Sequence, residues 1–175
     1  MIVPIILYGS SVLRKTSVEV TPDDNIREMG ALLLDTVKKA EGIGLAAPQI
    51  NLLKRIIVID TSPIIEETDE KYEAVLVNPE IVDYEDDLII YKEGCLSFPG
   101  IFEDIYRPDT IYVKYQDLSF NIHEEKLSGI KSRIFQHEFD HLNGILFIDK
   151  METITRNLLR GKLNRIKKAS LQQKI

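Results

Sequence analysis

Two of the three histidines in this 175-residue chain stand four residues apart, in His137-Glu138-Phe139-Asp140-His141. That spacing constrains the fold more than any other feature. On an α-helix, residues i and i+4 sit one turn apart on one face; in a strand they would be separated by about 13 Å. Ile130, Ile134, His137 and His141 fall along one stripe, which predicts a helix over Ser128–Leu142. Ser128 is placed to cap its start and Gly144 to cap its end. Two imidazoles on such a face can bind one divalent cation. Glu138, next in sequence, can approach a water held there and accept its proton. The bland alternative is a helix with two ordinary histidines and a solvated acid.

The rest of the chain predicts one domain over residues 1–175. A second helix follows Thr21-Pro22-Asp23-Asp24, with Ile26, Met29, Leu32, Leu33, Val37 and Ala40 at helical spacing, and ends at Glu41-Gly42-Ile43-Gly44. Arg55–Asp60, Ala74–Val77, Ile81–Tyr84, Leu88–Lys92, Thr110–Tyr115 and Phe120–Leu127 read as strands. Ser62–Lys71 reads as a polar surface loop. Thr153–Ala169 predicts a basic amphipathic helix with Ile154, Leu158, Leu159, Leu163 and Ile166 inward. Helices and mostly antiparallel strands without βαβ alternation indicate an α+β fold, its strands arranged around a central helix that carries the histidines. Apolar runs are too short to span a bilayer. The N-terminus lacks a basic region and a small-residue cleavage site, so a cytoplasmic location is expected.

A catalytic cation needs a third protein ligand and an open position. His123 lies upstream in a predicted strand, and Glu152 lies past a turn at the start of the next helix. Cys95 is the better choice, since a thiolate with two imidazoles suits zinc, ferrous iron, cobalt or nickel. It is the only cysteine, so an intramolecular disulfide is excluded. A buried apolar thiol or a nucleophile remain alternatives. Gly94 allows close backbone approach, and polar residues flank the thiol.

Gly42-Ile43-Gly44-Leu45-Ala46-Ala47-Pro48-Gln49, Glu93-Gly94-Cys95-Leu96-Ser97 and Gln136-His137-Glu138-Phe139-Asp140-His141-Leu142-Asn143-Gly144 follow one another along the chain. They match, in that order, G-φ-G-L-A-A-x-Q (φ being apolar), E-G-C-L-S and Q-H-E-x-D-H-L-x-G, and together they resemble the peptide deformylase family. The resemblance implies removal of the N-formyl group from the formyl-methionine that starts new bacterial polypeptides, with release of formate. It implies that Cys95, His137 and His141 hold one divalent metal ion per chain, usually Fe2+, which Zn2+, Ni2+ or Co2+ can replace. Glu138 would be general base and acid. The Gln49 amide and the Leu96 backbone N–H would stabilise the oxyanion. Ile43, Gly44 and Glu93 would line the substrate groove.

Ile130 and Ile134, one and two turns before His137, are candidates for an apolar methionine pocket. Asp140 and Arg107 are expected to orient the ligands by hydrogen bonding. The chain departs from many bacterial members after E-C-L-S, where Phe98-Pro99-Gly100-Ile101-Phe102 stands in place of a stretch that carries an arginine.

Net charge is −6, yet residues 153–175 carry seven Lys or Arg and no Asp or Glu. The net charge argues against general nucleic-acid binding, and no DNA partner is expected. The tail has two readings, a solvated helix that closes the core or a cationic contact to ribosomal RNA. Two other functions compete with a deformylase acting on nascent formyl-methionyl peptides. A metalloendopeptidase would use the same helix and dispense with Cys95. A ribosome-bound relative without activity would keep only the fold.

Overall fold

The computed structural model describes residues 2–68, 71–85 and 87–173. Its strands are β1 (Gly44–Ala46), β2 (Ile56–Asp60), β3 (Glu73–Tyr84), β4 (Leu88–Gly94), β5 (Phe102–Pro108), β6 (Ile111–Gln116) and β7 (Ile122–Leu127). The α-helices are α1 (Ile26–Lys39), α2 (Ile65–Thr68), α3 (Gly129–Leu142), α4 (Thr153–Leu158) and α5 (Arg160–Ser170).

Five strands form one antiparallel sheet in the order β1-β2-β3-β6-β7, and β4 and β5 form a separate hairpin. The hairpin is an excursion between β3 and β6, which pair with each other. The α+β reading therefore holds, with α3 at its centre. Every residue of β2 is buried, as a strand covered on both faces must be. Side chains alternate along it. Ile57 and Ile59 pack with Ile134, Phe135 and Leu142 of α3. Ile56 and Val58 pack with Ile26, Leu33 and Val37 of α1. Each such aliphatic side chain contributes about 1.5–3 kcal/mol on burial, so the sheet holds α3 at a fixed height.

A third core lies outside the sheet. Ile6 and Leu13 from the N-terminal segment meet Phe98, Ile101 and Ile105 of the hairpin region, Phe147, and Leu163 and Ile166 of α5, with Cys95 packed against them. The metal-ligand candidates thus lie where this core meets the one under the sheet.

Several elements differ from the sequence reading. β1 and β5 were not expected: β1 is three residues with two glycines nearby, and it exists because β2 offers it an edge. The two segments around Asn78-Pro79 form one strand, β3. A register shift between Val77 and Glu80 absorbs the proline, and Asn78 adopts φ 47°. Ser62–Lys71 is not a plain loop: a 3-10 turn over Ser62–Ile64 runs into α2, while Asp69 and Glu70 lie outside the described residues. The C-terminal helix breaks at Leu159. Leu159, Leu163 and Ile166 are buried, but Ile154 and Leu158 are 72% and 82% exposed. At ~100° per residue those two project more than ~100° away from the buried stripe, so one helix could not bury all five. Lys174 and Ile175 lie outside the described residues. Among the described residues, no helix is long and apolar enough to cross a membrane.

Candidate active site

The sulfur of Cys95 and one nitrogen each of His137 and His141 lie within 4.8 Å of one another. Cys95 Sγ is 3.3 Å from His141 Nε2. A tetrahedral cation with bonds of ~2.0–2.3 Å sets its donors about 3.3–3.6 Å apart, so the three residues fit one ion with little movement. They arrive from two directions. His137 and His141 are on α3 and buried, His137 against Glu93 and the Phe147 ring and His141 against Cys95. Cys95 follows β4, in a turn that the Phe98 N–H closes on the Cys95 carbonyl at 2.8 Å.

Glu93 sets the tautomer of His137. Its Oε2 is 2.9 Å from His137 Nδ1, which leaves Nε2 for a ligand bond. Burial works to raise the Glu93 carboxyl, but hydrogen bonds from His137 and Arg107 pull it well below its ordinary range. It is therefore a carboxylate at neutral pH. Arg107 donates to it through Nε at 2.6 Å and Nη2 at 3.0 Å, and reaches Asp140 through Nη1 at 2.6 Å. Arg107 and Asp140 thus reach His137 through Glu93 rather than by touching it. Glu93 borders the cleft, with its carboxylate directed to these partners. Burial, and then the charge of His137, pull His141 well below its ordinary range. Burial works the same way on His137, but bonds to Cys95 and Glu93 hold it well above that range, so a cation must displace a proton from His137. A neutral imidazole is the form that binds metal.

Glu138 is buried, and its Oε2 has no hydrogen-bond partner among the described residues. Burial pushes its carboxyl up to about 7, a value suited to taking and returning a proton near neutral pH. Its other oxygen explains Gly44. A Cβ there would sit 2.6 Å from Glu138 Oε1 and 2.7 Å from Ile134 Cγ2. Gln49 is fixed at both ends of its amide: Oε1 accepts the Ala46 N–H at 2.8 Å, and Nε2 reaches Ser97 Oγ at 3.2 Å and Cys95 Sγ at 3.6 Å. Its donor end therefore faces the ligand cluster.

These groups line a cleft of about 540 Å³. Ile43, Gly44, Gln49, Cys95, Leu96, Ile130, Ile134, His137 and Glu138 all border it, while His141 sits behind Cys95. One wall is the open edge of β1. The Ile43 carbonyl accepts the Asp60 N–H at 2.9 Å, and the Ala46 N–H turns outward to Gln49. By antiparallel alternation, Gly44 presents its backbone groups to the cleft. His123 is elsewhere, exposed on β7 and paired with Asp117 at 3.1 Å; Glu152 is exposed.

Sequence reasoning missed Ser97 and Arg133. Arg133 is buried and donates to Glu93 Oε1 at 2.9 Å. Its spacing, four residues before His137, was the available signal.

Comparison with known proteins agrees with this geometry. The family model described as polypeptide deformylase matches residues 2–157. A peptide deformylase of Cytophaga hutchinsonii is 40% identical over 169 residues, which is 96% of this chain and 92% of the relative. The crystal structure of peptide deformylase from Thermus thermophilus superposes with a TM-score of 0.87 at 37% identity, covering 97% of this chain and 99% of that one. A Plasmodium falciparum peptide deformylase in complex with an inhibitor gives 0.82 at 42%, covering 93% and 97%. With the family match covering most of its length and its ligand cluster intact, the chain belongs to the polypeptide deformylase family.

Proposed function

We propose that this protein hydrolyses the N-formyl group from formyl-methionine at the start of new polypeptides and releases formate. The observation that carries the reading is the convergence of Cys95, His137 and His141 beside Glu138, whose Oε2 has no hydrogen-bond partner among the described residues, at the end of a cleft walled by the edge of β1. Cys95, His137 and His141 would hold the cation, for which Fe2+ is the proposed native choice and Zn2+, Ni2+ or Co2+ are substitutes. When bound, a divalent cation supplies an acidified water and polarises the formyl carbonyl.

The chain's own residues supply the remainder. The peptide backbone pairs with Gly44 as an added strand, and the methionine side chain lies against Ile43, Ile130 and Ile134. Glu138 takes the proton of the attacking water and delivers it to the departing amine. The Gln49 Nε2–H and the Leu96 N–H donate to the oxygen as charge develops on it, each contributing about 3 kcal/mol. Glu93 keeps the His137 ring in register throughout.

The test is formate release from formyl-Met-Ala-Ser by protein purified anaerobically and loaded with Fe2+ or Ni2+. Formate is expected, with no cleavage of acetyl-Met-Ala-Ser or of unblocked internal peptide bonds. Absence of formate from the loaded protein would reject the reading.

The exposed cations Arg156, Arg160, Lys162, Arg165, Lys167 and Lys168 support a further part of the proposal. They would contact ribosomal RNA and hold the enzyme near emerging chains.

A further inference from the structure

We infer that Arg133 is a positioning residue, coupling the cleft wall to the metal-ligand histidine. Among the described residues, the β4–β5 hairpin pairs with no strand of the main sheet, so side chains help to set its height over α3. Arg133 makes three bonds that do so. Its Nη1 donates to Glu93 Oε1 at 2.9 Å and to the Ile105 carbonyl of β5 at 3.0 Å. Its Nη2 donates to the Ile89 carbonyl of β4 at 2.8 Å. One guanidinium therefore pins both strands of the hairpin and the carboxylate that orients His137.

The placement on α3 makes this coupling direct. Arg133 and His137 are one turn apart on one face and bind opposite oxygens of the same carboxylate, Oε1 and Oε2. Arg107 fills the remaining positions, so Glu93 accepts four hydrogen bonds and has no freedom to rotate. Arg133 is 4% exposed, and its stem borders the cleft beside Tyr91, whose ring centroid is 5.9 Å from Arg133 Cζ. A shift of the guanidinium would move the wall formed by Tyr91 and Phe102 together with the His137 ring.

Charge is not the distinguishing feature, because Arg107 contacts Glu93 twice and Lys150 shares with it the balancing of Asp140. The geometry requires a planar fork that meets three acceptors at once, which a lysine ammonium does not reproduce. Arg133→Lys and Arg133→Met should therefore behave alike. Both should lose about 10–100-fold in Co2+ affinity, read by competition with a chelator, and shift the visible absorption of the Co2+ protein. Both should also lower kcat and raise KM for formyl-Met-Ala-Ser. The kinetic arm rests on the deformylase reading; the cobalt arm does not, so the two can fail separately. Unchanged Co2+ affinity and spectrum in either folded variant, with only a lower melting temperature, would overturn the inference. So would full rescue by lysine. If Arg133→Met fails to fold, Arg133→Lys, which keeps stem and charge, decides between these outcomes alone.

Discussion

Replacing Glu138 with Gln keeps its size and burial but removes the proton acceptor. Metal content should stay at one ion per chain while turnover falls by about 10²–10⁴-fold. Metal analysis beside the formate assay checks both, and retained turnover would remove Glu138 from the mechanism. Cys95→Ser separates this enzyme from an endopeptidase built on two histidines. A hydroxyl is a far weaker ligand than a thiolate, so the variant should lose metal during dialysis against a chelator that leaves the parent loaded. Gly44→Ala is the sharpest steric test. The added methyl would meet Glu138 Oε1 at 2.6 Å, and displacing that carboxylate should cost about 10²-fold in kcat/KM. Wild-type kinetics in Gly44→Ala would mean that this close approach does not matter. At this scale the sequence was informative about chemistry and weak on partners. It identified every ligand candidate and Glu138, and read Glu93 as lining the substrate groove without its bond to His137. Which side of Glu93 meets His137 depends on the side-chain contacts between β4 and α3, and no local pattern encodes them.

At the scale of elements, the C-terminal helices divide into a buried stripe and a basic outer surface. Reversing Lys162, Arg165 and Lys168 to Glu spares Leu163 and Ile166, so folding and formate release should be unaffected. Affinity for ribosomes should fall, and its dependence on salt should flatten in proportion to the charges lost. Sedimentation with ribosomes at several salt concentrations measures this, and unchanged binding would reject the RNA contact.

The N- and C-terminal parts are also tied by Arg14 and Asp149, whose second contact is 3.0 Å. Burial works to raise Asp149, but the Arg14 bond and the Leu146 N–H hold it below its ordinary range. A carboxyl depressed on folding stabilises above its unfolded pKa and loses that contribution as pH falls through the lower folded value. Solvent reaches the pair, so the effect stays below about 1 kcal/mol. Asp149→Asn should therefore be slightly less stable than the parent in urea at pH 7, with the gap closing below about pH 4. A gap that widens in acid would contradict the sign.

For the whole molecule, a ligand that binds only the folded state raises its stability. Metal at 100 times its dissociation constant adds about 2.7 kcal/mol, so chelation should lower the melting temperature and Ni2+ should restore it. A melting curve indifferent to both would place the ion outside the folded site.

The sequence by itself determined the helix with its histidines, the α+β class, the cysteine as the third ligand candidate and the family, because periodicity and motif spacing are local properties of the chain. Only the tertiary structure decided that β4 and β5 stand apart from the sheet, that β1 pairs at its edge, and that Arg133, Arg107 and Glu93 form one buried network. Strand pairing and buried charge contacts join residues far apart in sequence, such as Glu93 and His137. Their free energy comes from excluding water at contacts that exist only once the chain has closed on itself.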